Sequence, residues 1–437
     1  MHNTNRRDQR PGEFEEWLQA DRTPYWPRFL AIFLVIAAIV GLNLYFLSPV
    51  IRRRVDYAFL RVQAELRNSR PHDLYIPTPA LATRSAQLPI AQLSPTPTST
   101  STPVPSQVQP AGGVATATPT STPLPPSVVL QANCQEPQGW NNCGPAALSM
   151  ALRFYGWTEN QYTVSAATKP DRDDRNVSPG EMVAYTFSLG DMYAAMGYAT
   201  DTQIVKFLIS NGFPVIIETW FVPKPQDEMG HYRLLTGYDD GAQQFVTQDS
   251  YSGPNQKVPY GEVETLWKVF DRVYVVVCEA GRATELQALL GSELDQESMY
   301  QRALAVAETE IAANPEDPYA WFNAGTNYVG LGQYEQAAAA YDQARLLKLP
   351  WRMLWYQFGP FEAYLHVGRY QDVVNLADAN LKTTPNLEES YYYRALARQA
   401  LGDQAGWRED LRKALHYNPN FDVAARLLGD LGPDRGP

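Results

Sequence analysis

A cysteine in this chain stands where a protein can make its sulfur reactive. Cys143 is followed by Gly-Pro and then by an apolar run through Tyr155, which predicts a buried helix with the cysteine at its N-terminus. There the unpaired backbone N–H groups and the positive end of the helix dipole favour a thiolate over a thiol. Because the thiolate is the nucleophilic form, Cys143 is a candidate catalytic residue.

A histidine and an aspartate further along the chain supply its chemical partners. His231 is the single histidine in residues 127–278, in a strand-like run that leads to Asp239-Asp240-Gly241 and a second such run ending at Asp249. Two β-rich runs around Asp-Gly predict a hairpin. With the turn centred near Asp240, His231 and Asp249 face each other with their Cβ atoms roughly 4.5–5.5 Å apart. We therefore expect an imidazole–carboxylate hydrogen bond.

These residue types match the needs of acyl transfer through a thioester. The thiolate attacks a carbonyl, the histidine holds the thiolate as an ion pair and then protonates the leaving amine, and the carboxylate fixes the histidine tautomer. The developing oxyanion needs a hydrogen-bond donor. Gln138, five residues before Cys143, and the Cys143 backbone N–H are the candidates.

The same blocks resemble the peptidase C39-like family over roughly residues 128–280. The resemblance rests on Gln138 followed by Cys143-Gly-Pro-Ala-Ala-Leu-Ser-Met, on Gly-His231-Tyr-Arg-Leu-Leu-Thr-Gly-Tyr-Asp, and on Asp249-Ser. It implies a papain-like α+β cysteine peptidase with Cys143 as nucleophile, His231 as base, Asp249 as orienting acid and Gln138 as oxyanion donor, and it implies no cofactor or metal. Leader-cleaving members are commonly joined to a membrane transporter with an ATPase, whereas nothing here resembles a Walker motif.

Two other functions stay open at this point. The order Cys, His, Asp also occurs in transglutaminase-like and other papain-like acyl transferases, so transamidation competes with hydrolysis. A catalytically inactive surface scaffold is the third reading, against which the intact set of four residues argues. The net charge of −11 opposes nucleic-acid binding, which depends on basic contacts to phosphate.

The N-terminal part predicts a membrane anchor. Residues 28–48 contain a nearly uninterrupted apolar run from Phe29 to Leu47, close to the length that spans a bilayer. We expect a cytoplasmic tail over 1–27 and a transmembrane helix over 28–48. Basic residues lie on both sides of the run, so they do not decide its orientation.

Residues 49–127 predict a spacer. A juxtamembrane helix is expected first, followed by a stretch rich in proline, serine and threonine that has no charge between Arg84 and Glu136. Such a sequence cannot bury a core and is extended by its prolines. Stalks of this kind typically hold domains away from a membrane, so the expected location is a single-pass membrane protein with its folded domains outside the cytoplasm.

Inside the candidate catalytic domain, 128–280, further segments are assignable. Residues 188–196 and 201–211 predict helices, whereas 213–221 and 273–278 predict strands. The loop 169–179 carries three aspartates, for which a calcium site is one interpretation and a solvated charged loop is the favoured one. Of the three cysteines, Cys134 and Cys278 are a possible disulfide pair that leaves Cys143 free.

The C-terminal part is periodic. After a linker over 281–296, residues 297–430 repeat an Xaa-Pro pair at 314, 349, 384 and 418, in steps of 35, 35 and 34. The pattern resembles a tetratricopeptide (TPR) array with units 318–351, 353–386 and 388–421 after a capping helix. The family default is a groove for a peptide or protein partner, and the alternative is that the array braces the peptidase.

The whole sequence thus predicts a multidomain protein. It has a single transmembrane helix, an α+β papain-like cysteine peptidase domain and an all-α TPR solenoid. The expected partners are a peptide or protein substrate, a protein held in the TPR groove and the membrane.

Overall fold

The computed structural model describes residues 26–48, 51, 55, 62, 75–79, 123–222 and 227–429. Most of the predicted tail over 1–27 and most of the predicted juxtamembrane helix and spacer over 49–127 lie outside the described residues. The chain divides into two units, Met1–Leu66 and Arg67–Pro437. Each is described by itself.

The first unit contains helix α1, Trp26–Leu47. The prediction of a transmembrane helix over 28–48 is wrong, because none of the helices in the described residues combines the length and apolar character that crossing a bilayer requires. A hydrocarbon core about 30 Å thick needs roughly 20 consecutive apolar residues. The predicted single-pass membrane location, with the folded domains outside the cytoplasm, rested on that span and is corrected with it.

The second unit begins its folded part with an antiparallel sheet of seven strands. The order is β2-β7-β3-β4-β5-β6, and β1 pairs with β4. Helices cover both faces, as expected for an α+β domain. The strands are β1 (Ser127–Val129), β2 (Met192–Gly197), β3 (Val215–Phe221), β4 (Met229–Asp239), β5 (Gln244–Asp249), β6 (Gly253–Pro259) and β7 (Tyr274–Glu279). The helices are α2 (Cys143–Phe154), α3 (Gln161–Thr168), α4 (Pro179–Ser188), α5 (Thr202–Ser210), α6 (Tyr260–Trp267) and α7 (Ala283–Leu290).

Helix α2 is the buried helix that the sequence predicts. Every residue from Gly144 to Leu152 is buried, and Gly156 ends the segment with a φ of +88° that glycine adopts without a steric penalty. The helix packs with Met182 of α4 and with Leu234 of β4. Cys143 is therefore carried on a rigid element.

One predicted helix is a strand. Residues 188–196 were expected to be helical, yet α4 ends at Ser188 and β2 occupies Met192–Gly197. Gly190 separates the two with a φ of +80°. Strand β2 pairs with β7, and its two faces are buried in different hydrophobic clusters, Ala194 in one and Ala195 in the other, so its apolar run lacks the alternation that distinguishes a strand.

The C-terminal part is all-helical. Its consecutive helices pack against each other and have TPR-like spacing. Its helices are α8 (Gln296–Ala313), α9 (Pro318–Gly330), α10 (Tyr334–Leu346), α11 (Gly359–His366), α12 (Tyr370–Thr383), α13 (Glu388–Ala400), α14 (Gln404–Tyr417) and α15 (Asp422–Gly429). The second repeat departs from the expected unit because α11 starts at Gly359-Pro360. Proline fits only the first helical turn. The residues before it form a short 3-10 helix, Trp351–Trp355.

The sheet domain and the helical region share one hydrophobic core. Trp220 and Phe270 from the sheet domain belong to the same buried cluster as Trp321, Phe322 and Tyr341 from the helices. The burial of large aromatic side chains on both sides contributes roughly 1.5–3 kcal/mol for each. The helical region therefore braces the sheet domain.

A short piece of the predicted spacer also joins this core. Ile76 is only 4% exposed and lies in the shared cluster. Its backbone N–H donates to the Leu349 carbonyl at 3.0 Å, and Arg345 Nε donates to the Pro77 carbonyl at 2.8 Å. Residues 75–79 thus lie against the stretch that links α10 to α11.

Candidate active site

Cys143 is the first residue of α2. Asn142 precedes the helix and donates its side-chain amide to Gln161 Oε1 at 3.1 Å. The Cys143 thiol is half-buried and lies 3.9 Å from the Gly230 carbonyl oxygen. Because Gly230 directly precedes His231 in β4, the thiol faces the strand that carries the histidine.

His231 and Asp249 are in hydrogen-bond contact. The Nε2 atom of His231 lies 3.2 Å from Oδ1 and 3.1 Å from Oδ2 of Asp249, and both side chains are buried. An N–H at Nε2 donates to the carboxylate, which leaves Nδ1 as the ring nitrogen for the thiol. The structure therefore brings together the histidine and aspartate that the sequence singles out.

The electrostatics of the three residues favour a charged pair. Burial alone would raise the pKa of the Cys143 thiol, but the hydrogen bond and positive charge of His231 hold that pKa below its ordinary value. Burial opposes the imidazolium as well, yet the bonds from Asp249 and Cys143 raise the pKa of His231 to about 9. Both shifts favour a thiolate next to an imidazolium over a neutral thiol and imidazole.

Several neighbouring groups stabilise the ionised form of Asp249. Burial would raise its pKa, whereas His231 and the backbone N–H groups of Tyr251 and Ser252 lower it well below the usual range. Those two N–H groups donate to Oδ1 at 2.8 Å each. Arg233 Nε lies 3.1 Å from Oδ2. The carboxylate therefore stays charged and fixed in place beside the imidazole.

The hairpin register differs from the expected one. Leu234 pairs with Gln248 and Leu235 with Thr247, with a bulge between Leu235 and Gly237. Continued by one residue, this register places Arg233, rather than His231, opposite Asp249. The bulge and the four-residue turn shift the strands, and His231 reaches the carboxylate diagonally. Sequence reasoning missed Arg233, although its position two residues after His231 puts it on the same face.

Gln138 is joined to the residue after Asp249. Its backbone N–H donates to the Ser250 carbonyl at 2.9 Å, and the Ser250 hydroxyl donates to Gln138 Oε1 at 2.8 Å. These contacts fix the side-chain amide and leave Nε2 as its donor. The roles of Cys143, His231, Asp249 and Gln138 in catalysis stay predictions.

The charged loop over 169–179 is partly buried rather than solvated. Lys169 and Asp174 are both buried, and Lys169 Nζ donates to the carbonyls of Asn141 at 3.1 Å and of Asp174 at 2.6 Å. The positive charge of Lys169 also helps to lower the pKa of Cys143. Within the described residues, no cluster of His, Cys, Asp and Glu side chains suits a metal ion.

Cys134 and Cys278 are free thiols, so the disulfide hypothesis is wrong. Cys134 packs in the cluster around α2, whereas Cys278 packs in the cluster that contains Val205 and Trp267. The two clusters lie on opposite faces of the sheet, which keeps the sulfurs apart. Burial raises the pKa of each thiol to about 11, and both therefore stay protonated near neutral pH.

Comparison with known proteins agrees with the sheet domain's resemblance. Residues 126–275 match the model of the Peptidase_C39 like family, which supports a papain-like, peptidase-related fold for this part of the chain. Among curated proteins, aryl-hydrocarbon-interacting protein-like 1 from Pan paniscus is 26% identical over 153 residues. That match covers 31% of this chain and 38% of the relative, so the chain spans less than half of the relative's length.

Solved structures give three further likenesses. A protein assigned as a C39-like peptidase from Bacillus anthracis is 17% identical, with 35% of this chain and 97% of that chain covered and a TM-score of 0.29. The MamA RS-1 ArsTM double mutant is 18% identical, with 34% and 82% covered and a TM-score of 0.29. YrrB, a TPR protein with an unusual peptide-binding site, is 16% identical, with 33% and 89% covered and a TM-score of 0.19. At TM-scores below 0.5 these likenesses say little about a shared overall fold.

Proposed function

We propose that this protein is a cysteine peptidase that cleaves peptide bonds with Cys143, His231, Asp249 and Gln138. The observation that carries the proposal is the buried contact between His231 Nε2 and the Asp249 carboxylate. It favours the imidazolium beside Cys143, whose positive charge lowers the pKa of the thiol. The family match over 126–275 supports the same reaction class.

The reaction proceeds in two halves. The Cys143 thiolate forms a C–S bond with the scissile carbonyl carbon, and Gln138 Nε2 and the Cys143 backbone N–H stabilise the oxyanion. The C–N bond then breaks as His231 transfers its proton to the leaving amine. A water molecule attacks the thioester while His231 accepts its proton, the C–S bond breaks, and the product acid leaves with the thiolate restored. Asp249 keeps the imidazole oriented throughout.

The helical region contributes binding in this proposal. An open groove between α11 and α13 is lined by Glu362, Leu365, His366, Tyr392, Tyr393 and Leu396. Half-buried aromatic and aliphatic side chains with a carboxylate at one edge suit an extended polypeptide with apolar and basic residues. The groove would hold the substrate or a protein partner near the peptidase.

The first experiment measures the rate of iodoacetamide labelling at Cys143 against pH, in the full chain and in His231→Ala, with peptide mapping to separate the three cysteines. Wild type should label well below pH 7, and the variant should label like an ordinary thiol, with a midpoint near pH 8.5. An ordinary profile in both proteins would refute the activated pair.

A second experiment decides the reaction. The protein is incubated with a diverse peptide mixture, and new termini are identified by mass spectrometry, with Cys143→Ala as the control. New carboxyl termini that require Cys143 support hydrolysis. Products that carry an added primary amine in place of water would favour transamidation, and a lack of either product with reactive Cys143 would argue for a binding role.

A further inference from the structure

The stretch between α10 and α11 connects the helical region with β4, the strand that carries His231. We define the bridge segment as residues 351–357, which consist of the 3-10 helix Trp351–Trp355 followed by Tyr356 and Gln357. The bridge segment lies against residues 227–230, the approach to His231 in β4. No sequence pattern connects these two stretches, which are more than 120 residues apart in the chain.

Arg352 clamps the two residues that lead into β4, Asp227 and Glu228. Its guanidinium forms an ion pair with Asp227 at 2.7 Å and donates to the Glu228 carbonyl at 2.9 Å. The Arg352 side chain is 5% exposed and the Asp227 side chain 32% exposed, so the pair is partly shielded from solvent and is stronger than a fully exposed surface pair. The clamp fixes the backbone three to four residues before His231.

Tyr356 packs directly on the backbone of Gly230. A Cβ atom at Gly230 would lie 2.9 Å from Tyr356 Cε1, closer than ordinary van der Waals contact, so the ring rests on the glycine. The carbonyl of the same glycine lies 3.9 Å from the Cys143 sulfur. The Tyr356 ring therefore limits how far the Gly230–His231 backbone can move away from Cys143.

The bridge segment is itself fixed on the sheet side. Gln357 Nε2 donates to the Val269 carbonyl at 3.1 Å. The Tyr356 ring makes edge contacts with Trp220 and Phe270, each with ring centroids 6.0 Å apart. These contacts make the segment a rigid support rather than a loose loop.

We infer that Arg352 and Tyr356 are positioning residues for His231, so that the helical region completes the active site of the sheet domain. This inference rests on the proposed function, because it assigns the two residues to the ion pair between Cys143 and His231. Tyr356 contacts Gly230 in two ways, because its ring packs on the glycine and its hydroxyl interacts with the glycine backbone.

The test uses the iodoacetamide profile of Cys143 in the full chain, which reports the thiolate without a known substrate. Tyr356→Ala and Arg352→Met should move the midpoint up by about one pH unit, which slows labelling about tenfold at pH values below both midpoints. Tyr356→Phe keeps the ring contact and loses only the hydroxyl, so it should move the midpoint less than Tyr356→Ala does. The matched control is Arg369→Met, which removes an ion pair with Asp342 inside the helical region, and its profile should not move.

A double variant tests the contact itself. On its own, Gly230→Ala places a methyl group against the Tyr356 ring and should raise the midpoint of the labelling profile. When Tyr356→Ala is added, the methyl group at position 230 has room, so the two shifts should be far from additive. This pair also covers the case in which Tyr356→Ala alone does not fold.

The outcomes separate this inference from the proposed function. A wild-type protein with an ordinary thiol profile overturns the proposed function and the positioning role together. A wild-type protein with a low midpoint that Tyr356→Ala and Arg352→Met leave unchanged overturns the positioning role alone. A shift in Arg369→Met equal to theirs would mean general destabilisation and would also overturn it.

Discussion

The guanidinium of Arg233 lies 3.1 Å from the same Asp249 carboxylate that binds His231. The aspartate therefore balances two cationic side chains in a site where all three residues are buried. A buried charge that loses its partner is costly, because the interior does not replace the solvation that was lost. Arg233 thus belongs to the structural support of the candidate site.

Replacing Arg233 by methionine should destabilise the fold. We expect the free energy of unfolding to fall by roughly 3 kcal/mol, since the substitution leaves the Asp249 charge with one fewer buried partner. Urea denaturation measures this change. Lys413→Met is the control, because its ion pair with Glu409 is exposed and should contribute less than about 0.5 kcal/mol. Equal losses in the two variants would contradict a special role for Arg233.

Asp249→Asn should make the thiolate form of Cys143 less stable and so raise the pKa of its thiol. The amide cannot stabilise the imidazolium as the carboxylate does, so the pKa of His231 falls from about 9 towards its ordinary value. We expect the labelling of Cys143 at pH 6.5 to slow about tenfold or more. Asp240→Asn, at the far end of the hairpin where it pairs with Lys206, should label like wild type. Unchanged labelling in Asp249→Asn would show that the aspartate does not act on the pair.

The buried loop carboxyl of Asp174 should make stability depend on pH. Burial raises its pKa to about 7, against the opposing charge of Lys169. The folded state therefore holds the proton more tightly than the unfolded state, and the stabilisation is present at low pH and lost as pH rises through about 7.

Asp174→Asn should reduce that dependence, to which the buried carboxyls of Glu388 and Glu389, whose pKa values burial also raises, still contribute. We expect the variant to gain stability relative to wild type at pH 8, on the order of 1 kcal/mol or more, with a much smaller difference at pH 5. Thermal unfolding at the two pH values measures the difference. Asp173→Asn in the same loop is the control. A gain at pH 5 as large as that at pH 8 would rule out titration of Asp174 as the cause.

Ile76 should stabilise the helical region although it comes from the predicted spacer. Ile76→Ala removes buried methyl groups and should cost roughly 2–4 kcal/mol of unfolding free energy. Val306→Ala, at a side chain that is 36% exposed, should cost less than about 1 kcal/mol. Denaturation followed by circular dichroism compares the two. A loss at Ile76 no larger than at Val306 would mean that residues 75–79 do not hold the fold.

The sequence predicted well where a pattern is local. The helix that carries Cys143, the strand that carries His231 and the Xaa-Pro repeat each follow from periodicity or turn chemistry within a few residues. The structure confirms those elements and corrects others. Residues 188–196 hold a strand, the Cys134–Cys278 pair is absent, and the expected transmembrane helix over 28–48 is not supported.

The contacts that complete the candidate site were beyond prediction. Arg233 reaches Asp249 only because a bulge shifts the hairpin register, and Tyr356 reaches Gly230 only because the helical region packs across the sheet domain. Periodicity records how a residue relates to its neighbours in the chain, and it carries no information about which distant surfaces meet. The sequence by itself determined the chemical groups and the elements that carry them. Only the tertiary structure decided how those groups are supported and charged, because burial and long-range packing set both.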